Sequence, residues 1–285
     1  MTLMEAPPPA RHLSPLVRCL TAPNPSPFTF DGTQTYIVGD RNLAIIDPGP
    51  DLPVHVGAIL AEVAGRQVAA ILCTHTHRDH SPAAARLKAA TGAPIIGCAP
   101  LTMEDEGPRA DAAFDPDYAP DRVLTDGEAL EGEGWTLEAV ATPGHTSNHL
   151  CFALWEERAL FTGDHVMGWS TTIVSPPDGD MGAYMDSLEK LIGRDDRTYY
   201  PAHGPAVEES HELVRKLIDH RRGREIEVVE RLRQGDRRIA TMVASIYRDV
   251  DPSLHPAAAR SVLAHLIALE ERGVAKRDEE EWILQ

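Results

Sequence analysis

The sequence of 285 residues lacks any apolar run long enough to span a bilayer, and its opening, MTLMEAPPPARHLSP, lacks the apolar core of a secretory signal. Cysteine is scarce: Cys19, Cys73, Cys98 and Cys151 stand far apart and form no CxxC pair. This spacing excludes the disulfide framework of a small secreted domain. We therefore expect a reduced, cytoplasmic protein that has no membrane partner.

Positive charge is also scarce, since 27 Lys and Arg residues face 44 Asp and Glu residues and the net charge is −17. Residues 1–205 carry a net −15, and residues 206–285 carry only −2. An acidic domain repels polyanions at long range, which counts against non-specific nucleic-acid binding but not against a local basic patch. The GxSxG motif of one large class of serine hydrolases is absent as well.

Apolar periodicity divides the chain into two parts. In the first part, short β-rich runs alternate with helix-like segments, which indicates an α/β architecture. The second part contains three helical segments followed by two short strands around an acidic turn. That order is typical of a winged helix-turn-helix. We predict a catalytic domain over residues 1–205 and a helical, winged-helix-like domain over residues 206–285.

Turn residues locate two local structures in the first part. The stretch TYIVGDRNLAIIDPG predicts a β-hairpin that turns at Gly39 and Asp40. Further along, Ser81 is a candidate helix N-cap, Pro82 suits the first helical position, and Gly92 is placed to end the helix.

The stretch LCTHTHRDHSPA, residues 72–83, packs three histidines and an aspartate into six residues. Ligand-type side chains also follow strand-like runs in ATPGHT, LFTGDH and YYPAHG. Loops at strand ends are where open α/β sheets build their sites. The candidates are His75, His77, Asp79, His80, His145, Asp164 and His203.

These seven side chains are enough for two metal ions. Imidazole and carboxylate ligands without cysteine favour zinc, with iron or manganese as alternatives. The first site would be made of His75, His77 and His145. The second would be made of Asp79, His80 and His203, with Asp164 as the bridge. Two metals about 3.5–4 Å apart would clamp a bridging hydroxide as nucleophile, and Asp79 would also handle protons.

The motifs THTHRDH, TPGHT, FTGDH and PAHG, in this order, resemble those of the metallo-β-lactamase-fold hydrolases. The resemblance spans roughly residues 24–204 and implies an αββα sandwich with a dinuclear site at one edge. It assigns the metal ligands of that family to the same seven residues. A closer resemblance is to the β-lactamase-like protein 2 branch, carried by NPSPFTFDGTQTYIVG, GHTSNH and the helical tail. It implies single-strand endoribonuclease activity, the activity known for the animal members of that branch.

Side chains near the ligands are weaker candidates. Asp47 ends the strand-like LAIID and could orient a ligand histidine, although an aspartate before proline also favours a turn. Thr146 and His149 are further candidates for such support. The stretch MGWSTTIVSPPDGDMGAY has no clear period and predicts a loop at the rim of the site. Its candidates for substrate contact, each equally compatible with a packing role, are Trp169, Ser170, Thr171 and Tyr184.

The densest basic cluster is RKLIDHRRGR, residues 215–224, which could contact the phosphates of an RNA substrate. An RNA-cleaving enzyme would then depend on Arg221 and Arg222, and a small-ester hydrolase would not. The charges are more typical of a solvated helix face with i,i+4 ion pairs, and this is the interpretation we favour. Those pairs are Glu212/Lys216, Arg215/Asp219 and Arg221/Glu225.

Three functions follow from these observations. The first is a dinuclear zinc hydrolase of a small ester, thioester or lactone, and the second is a phosphodiesterase of single-stranded RNA. The third is a nucleic-acid-binding regulator with a vestigial hydrolase domain, against which the complete ligand set argues. The helix HPAAARSVLAHLIALEERG has one arginine, Arg260, before the acidic pair Glu270 and Glu271, and it has an apolar face. We expect it to pack on the hydrolase domain or on a second subunit in a homodimer, and not to read duplex DNA.

Overall fold

The computed structural model of the protein describes residues 9–101 and 114–285. The strands are β1 (Arg11–His12), β2 (Val17–Thr21), β3 (Gln34–Val38), β4 (Asn42–Ile46), β5 (Gln67–Cys73), β6 (Ile95–Gly97), β7 (Arg122–Val123), β8 (Ala129–Gly132), β9 (Trp135–Ala141), β10 (Leu150–Leu154), β11 (Ala159–Gly163), β12 (Thr198–Pro201), β13 (Ala275–Asp278) and β14 (Glu281–Leu284). The helices are α1 (Pro53–Val63), α2 (Ala83–Thr91), α3 (Met181–Ile192), α4 (Ser210–Arg233), α5 (Ile239–Ile246) and α6 (His255–Glu271), with short 3₁₀ turns at Trp155–Glu157 and Pro252–Leu254.

Two sheets stack face to face between layers of helices, so the αββα sandwich implied by the resemblance is confirmed. The first sheet has seven strands in the order β1 to β7, and the second has five in the order β12-β11-β10-β9-β8. Strands β4 to β7 run parallel, as do β11 and β12, whereas the other pairs in these two sheets are antiparallel. The carboxyl ends of β5 and β11 therefore open into loops at one edge of the sandwich.

Strand β10 shows why both faces of the second sheet are apolar. All five of its residues are buried, and alternate side chains point to opposite faces. Leu150 and Phe152 join the core that lies between the sheets and under α1 and α2. Cys151 and Ala153 join the core formed with α3 and α4. A strand covered on both sides reads as a continuous apolar run, which is what the sequence LCFAL is.

The predicted hairpin is confirmed, since β3 and β4 pair in antiparallel register around Gly39 and Asp40. Gly39 has a φ of 102°, and a Cβ there would lie 2.7 Å from the Trp135 ring. The prediction for Ser81 is wrong, because no side chain caps α2 and the Ser81 hydroxyl donates instead to Asp115. Gly92 ends α2 in the left-handed conformation, as predicted.

The C-terminal part has the predicted winged-helix shape, with α5 and α6 followed by the antiparallel pair β13–β14. Helix α4 connects it to the sandwich. Val214 and Leu217, in the first half of α4, pack in the core of the second sheet. Val228 and Leu232, in its second half, pack with α5, α6 and Trp282. Among the described residues, no helix has the length and apolar character that crossing a bilayer requires.

Candidate metal centre

All seven ligand-type residues lie just past the ends of strands at one edge of the sandwich. The histidine-rich stretch follows β5, His145 follows β9, Asp164 follows β11, and His203 follows β12. Because β11 and β12 are parallel neighbours, the residues that follow them emerge side by side. The structure therefore brings together residues that are up to 128 positions apart in the chain.

The first group consists of His75, His77 and His145, with Asp164 beside them. His77 Nδ1 lies 3.0 Å from His75 Nε2 and 3.1 Å from His145 Nε2. Zinc–nitrogen bonds of about 2.0–2.1 Å place the nitrogens of a tetrahedral site roughly 3.3 Å apart. The three imidazole nitrogens are thus close to the spacing that one tetrahedral ion would impose.

The second group consists of Asp79, His80 and His203. Asp79 Oδ2 lies 3.3 Å from His80 Nε2 and 3.2 Å from His203 Nε2. Asp164 stands between the two groups. Its Oδ1 lies 3.2 Å from His203 Nε2, and its Oδ2 lies 3.6 Å from His145 Nε2 and 3.5 Å from His80 Nε2. Asp164 could therefore contribute to both groups.

The hydrogen bonding of these side chains fits bound cations. Within the described residues, His80 Nε2 and Asp164 Oδ1 are fully buried and accept or donate no hydrogen bond of normal geometry. A buried polar atom without a partner costs roughly 1–3 kcal/mol, and more when it is charged. A divalent cation between the two groups would satisfy both atoms, so the residues present fit a metal centre.

The protonation of the two groups differs. Burial lowers the pKa of His75 and His77 well below the usual histidine value, and the neighbouring imidazoles lower it further, so both are neutral as metal ligands must be. Burial raises the pKa of the Asp79 carboxyl, but His80 and His203 outweigh it and hold that pKa well below its usual range. Burial lowers the pKa of His203, yet the nearby Asp164 carboxylate raises it overall to about 10. Burial lowers the pKa of His80 too, but Asp79 and Asp164 outweigh it and raise that pKa well above its usual value. In the metal-free protein, protons on His80 and His203 compensate for the two carboxylates.

Asp47 lies behind the second group, at the end of β4. Its Oδ2 is 3.0 Å from His80 Nδ1, the ring nitrogen that faces away from the other ligands. The Thr74 amide and hydroxyl both donate to the same carboxylate at 2.8 Å. Asp47 holds a left-handed φ of 48°, a conformation uncommon for a residue with a side chain. The contact with His80 is the one expected of a residue that orients a ligand ring.

The other two candidates for support differ from each other. His149 is buried behind the first group, where its Nε2 accepts a hydrogen bond from the Asp164 amide. The Thr146 hydroxyl donates to Asn148 and makes no hydrogen bond to a ligand side chain among the described residues. Two supporting residues were not predicted from the sequence. The Thr33 hydroxyl donates to Asp79 at 3.0 Å. The Ile173 carbonyl accepts from His145 Nδ1 at 2.6 Å. They are distant in sequence from the ligands they contact, so no local pattern could identify them.

A small cavity of about 40 Å³ opens onto the two groups. A cavity of that size holds at most a few water molecules, so the body of a substrate would extend beyond it. The cavity is lined by Phe28, Thr29, His77, Asp79, His145, Asp164, Met167, Thr172, Ile173 and His203. Of the predicted substrate contacts, Trp169 does not line the cavity, but it stacks at 5.0 Å between ring centroids on Phe30, the residue after the lining residue Thr29. Ser170 and Thr171 belong to the same loop but do not line the cavity.

Tyr184 is not at the rim. The predicted rim loop ends at Asp180, because helix α3 begins at Met181 and contains Tyr184. Its side chain is fully buried, and its hydroxyl donates to the His165 carbonyl at 3.1 Å. An aspartate N-cap, which accepts a hydrogen bond from the Ala183 amide, is the sequence signal that would have placed this helix.

The basic run 215–224 also differs from its prediction. Arg221 is buried on α4, and Glu225, its expected partner, pairs with Arg272 instead. Arg222 is exposed and pairs with Glu189. Among the three pairs expected at i,i+4 spacing in this described part of the chain, only Glu212/Lys216 forms an ion pair. Replacing Arg221 and Arg222 with glutamate would disturb the core, whichever substrate the protein cleaves. The double substitution therefore does not distinguish an RNA substrate from an ester.

Two family profiles match the chain. The profile of the metallo-β-lactamase superfamily matches residues 28–203, and that of the β-lactamase-associated winged helix domain matches residues 239–282.

Similar proteins include an atrochrysone carboxyl ACP thioesterase of Aspergillus chevalieri, 34% identical over 87% of this chain and 76% of its own length. A β-lactamase-like protein 2 homologue of Caenorhabditis elegans is 31% identical over 94% of this chain and 88% of its own. Among solved structures, a metallo-β-lactamase family protein of Thermus thermophilus has the same fold, with a TM-score of 0.77 and 22% identity. The match covers 96% of this chain and all of that one.

Proposed function

The chain belongs to the metallo-β-lactamase superfamily, and from this membership we propose that it is a dinuclear zinc hydrolase of a thioester or small ester with a flat, apolar acyl group. The observation that carries the proposal is the pair of ligand groups that share Asp164, which offers two cation sites side by side. A vestigial hydrolase domain would have no reason to retain all seven ligand-type side chains in convergent positions.

Bound zinc ions would supply an activated water molecule and a positive field for the oxygen that becomes negative during attack. The protein itself contributes by orienting the ligand histidine rings. His145 and His80 each use one ring nitrogen to contact a supporting group, Ile173 and Asp47, and keep the other nitrogen for the centre.

A cysteine nucleophile is not required by this chemistry, and the cysteines are poorly suited to supply one. All four are buried, and burial raises the pKa of the Cys98 and Cys151 thiols to about 12. At neutral pH a thiol with such a pKa is almost entirely in its unreactive protonated form.

The mouth of the centre favours an apolar acyl group over a phosphodiester. Among the described residues that line the cavity, none is a lysine or arginine that could pair with a phosphate. Phe28, which lines the cavity, is instead 42% exposed, and the stacked rings of Phe30 and Trp169 are 41% and 38% exposed. Exposed aromatic side chains gathered in one place are typical of a ligand-binding surface. The thioesterase relative adds support for a thioester as the bond that is cleaved.

The test is a substrate panel on the zinc-replete full chain. It should contain acetyl and benzoyl thioesters of N-acetylcysteamine, an aryl ester, a lactone and single-stranded RNA, with thiol release followed by DTNB. We expect the benzoyl thioester to be hydrolysed best, the activity to disappear with exhaustive chelation and to return with zinc. Elemental analysis should find about two zinc ions per chain. His77→Ala serves as the blank, and equal hydrolysis in that variant would assign the activity to a contaminant.

Asp79 is the residue we assign to proton transfer, because its ionised carboxylate lines the cavity beside both histidines of the second group. Asp79→Asn should lower kcat by at least about a hundredfold, the range for removal of a general acid–base group. Thr29→Ala is the matched control, since Thr29 lines the same cavity without belonging to either ligand group. Turnover near the wild-type rate in Asp79→Asn, with both zinc ions retained, would exclude the assigned role.

Single-stranded RNA is the second candidate substrate. The stacked pair Phe30 and Trp169 could hold nucleobases, since base stacking on aromatic side chains tolerates any sequence. The C. elegans relative, from the branch that the motifs resemble, supports the same alternative. Zinc-dependent cleavage of RNA with no hydrolysis of any thioester in the panel would reject the thioester proposal in favour of this one.

A further inference from the structure

Arg221 lies in an unusual position for an arginine. Its side chain is 3% exposed on α4, in phase with the buried residues Val214, Leu217 and Val228 of that helix. Within residues 9–101 and 114–285 it pairs with no carboxylate. A buried guanidinium is costly unless hydrogen bonds replace its lost hydration. The hydrogen bonds of Arg221 therefore indicate why a guanidinium occupies this buried position.

Those contacts lead to the loop that follows Asp164. Arg221 Nη2 donates to the Thr172 carbonyl, and Nη1 donates to the Ser261 hydroxyl of α6 at 3.3 Å. The guanidinium also lies over the Tyr184 ring, 5.4 Å from its centroid. One side chain thus connects α4 and α6 of the C-terminal part with α3 and with the loop beside the metal centre.

The segment that Arg221 holds contacts two of the ligand-type residues, Asp164 and His145. The Thr172 hydroxyl donates to the Asp164 carbonyl at 2.7 Å, and the next carbonyl, that of Ile173, accepts from His145 Nδ1 at 2.6 Å. A histidine whose Nδ1–H is bonded to a carbonyl has its Nε2 lone pair free for a metal. The direction of the Thr172–Ile173 backbone therefore sets the tautomer and ring orientation of His145.

A second arginine of the C-terminal part holds the same loop. Arg260 of α6 donates from Nε to the Ser175 hydroxyl at 3.0 Å. Ala264 and Ala268, one and two turns further along α6, pack in the core of the second sheet. The C-terminal part is thus fastened to the loop 165–175 at both Thr172 and Ser175.

We propose that Arg221 is a positioning residue of the metal centre, through which the C-terminal domain orients His145. It acts through the Thr172–Ile173 backbone and touches no ligand itself. The proposal rests on the function proposed above, because the orientation of the His145 ring matters only if that ring binds a metal ion. It also gives the winged-helix-like domain a role in the hydrolase that requires no nucleic acid.

The test compares Arg221→Met with Arg222→Met in the full chain. Methionine keeps the length and apolar stem of the arginine but donates no hydrogen bond. Arg222 is the next residue on the same helix, and its ion pair with Glu189 is exposed, so it controls for the loss of charge. Zinc affinity, by competition with a chelator, and the visible spectrum of the cobalt-substituted protein are measured together with kcat and KM for the benzoyl thioester.

In Arg221→Met we expect zinc affinity to fall by about ten- to a hundredfold, the usual effect of losing a residue that orients a ligand. The cobalt spectrum should change, and kcat should fall while KM remains near the wild-type value, because the aromatic mouth is untouched. Arg222→Met should match the wild type in every measurement. Arg221→Lys, which keeps one donor for the Thr172 carbonyl, should be intermediate and provides the test if the methionine variant does not fold.

Wild-type zinc affinity and an unchanged cobalt spectrum in a folded Arg221 variant would overturn the proposal. The two metal measurements need no substrate, so they also separate this inference from the proposed function. If the wild type hydrolyses no thioester while the Arg221 variants still bind zinc weakly, the substrate assignment fails and the positioning role stands.

Discussion

At the scale of single residues, the metal centre depends on how each histidine ring is held. His75, His77 and His145 form a group in which burial and mutual repulsion keep His75 and His77 neutral. His203 lies against two carboxylates, which favour its protonated form. The two groups should therefore respond differently to pH when they bind metal.

Zinc binding to the second group should release protons at neutral pH. The pKa of His203 in the metal-free protein is raised to about 10, so a proton must leave before the ring can bind zinc. Zinc affinity should consequently rise with pH up to that value and fall as pH is lowered. Calorimetric titrations in buffers of different ionisation enthalpy measure the release directly.

His203→Asn is the variant that checks this assignment, and we expect it to release about one proton fewer per chain than the wild type. His77→Ala, which removes a ligand that is already neutral, should lose zinc affinity without that decrease in proton release. Equal proton release from His203→Asn and the wild type would show that the protons come from elsewhere.

At the scale of elements, two loops from different parts of the chain form the mouth of the centre. Phe30 belongs to the loop between β2 and β3 and has a left-handed φ of 56°, and Trp169 belongs to the loop between β11 and α3. Their rings stack with an interplanar angle of 28°. The pair forms an exposed apolar wall, to which the function proposed above assigns the flat acyl group.

Trp169→Ala should raise KM for the benzoyl thioester by about three- to tenfold and leave kcat nearly unchanged. The reason is that stacking between aromatic rings contributes about 0.5–1.5 kcal/mol beyond burial, and this binding does not change during the reaction. The acetyl thioester, which has no ring, should be affected less. Trp155→Ala is the control, because Trp155 is exposed on the 3₁₀ turn after β10, away from the mouth. Equal effects of the two substitutions on KM would mean that the wall does not bind the acyl group.

At the scale of the whole molecule, the charge and the packing of the C-terminal domain both argue against binding to duplex DNA. Helix α6, the counterpart of a recognition helix, buries Leu266 and Leu269 in the core of its own domain. Its Arg260 is turned toward Ser175. The turn between β13 and β14 is acidic, with the sequence DEEE over residues 278–281. Little of this surface is suited to phosphate contacts.

The full chain should therefore bind duplex DNA with a Kd weaker than about 1 μM at physiological salt, in the range of non-specific binding or beyond it. Fluorescence anisotropy with a labelled duplex oligonucleotide measures this, and lowering the salt shows how far any residual binding is electrostatic. Sub-micromolar, sequence-dependent binding at physiological salt would contradict the prediction and would mean that the winged helix recognises a DNA sequence.

The sequence by itself determined the fold class and the set of metal-ligand candidates. The strand-like runs VAAILC and ALFTG end within two residues of His75 and Asp164, so local order was enough to place these ligand candidates in loops at strand ends. The helices and wing of the C-terminal part were also predictable, because helical apolar periodicity and the acidic turn between two short strands are patterns that extend over only a few residues.

Only the tertiary structure decided which distant residues meet. Asp47 and His80 are 33 positions apart, and Thr33 and Asp79 are 46 apart, so their hydrogen bonds exist only because the strands that carry them converge at one edge. Arg221 was interpreted from its spacing to Glu225 as a solvated residue, although it lies in phase with the buried residues of α4. The spacing of charges along a helix is a local property, whereas burial depends on what the rest of the chain packs against that helix. For the same reason Tyr184 is a core residue bonded to the His165 carbonyl, because α3 lies against the second sheet.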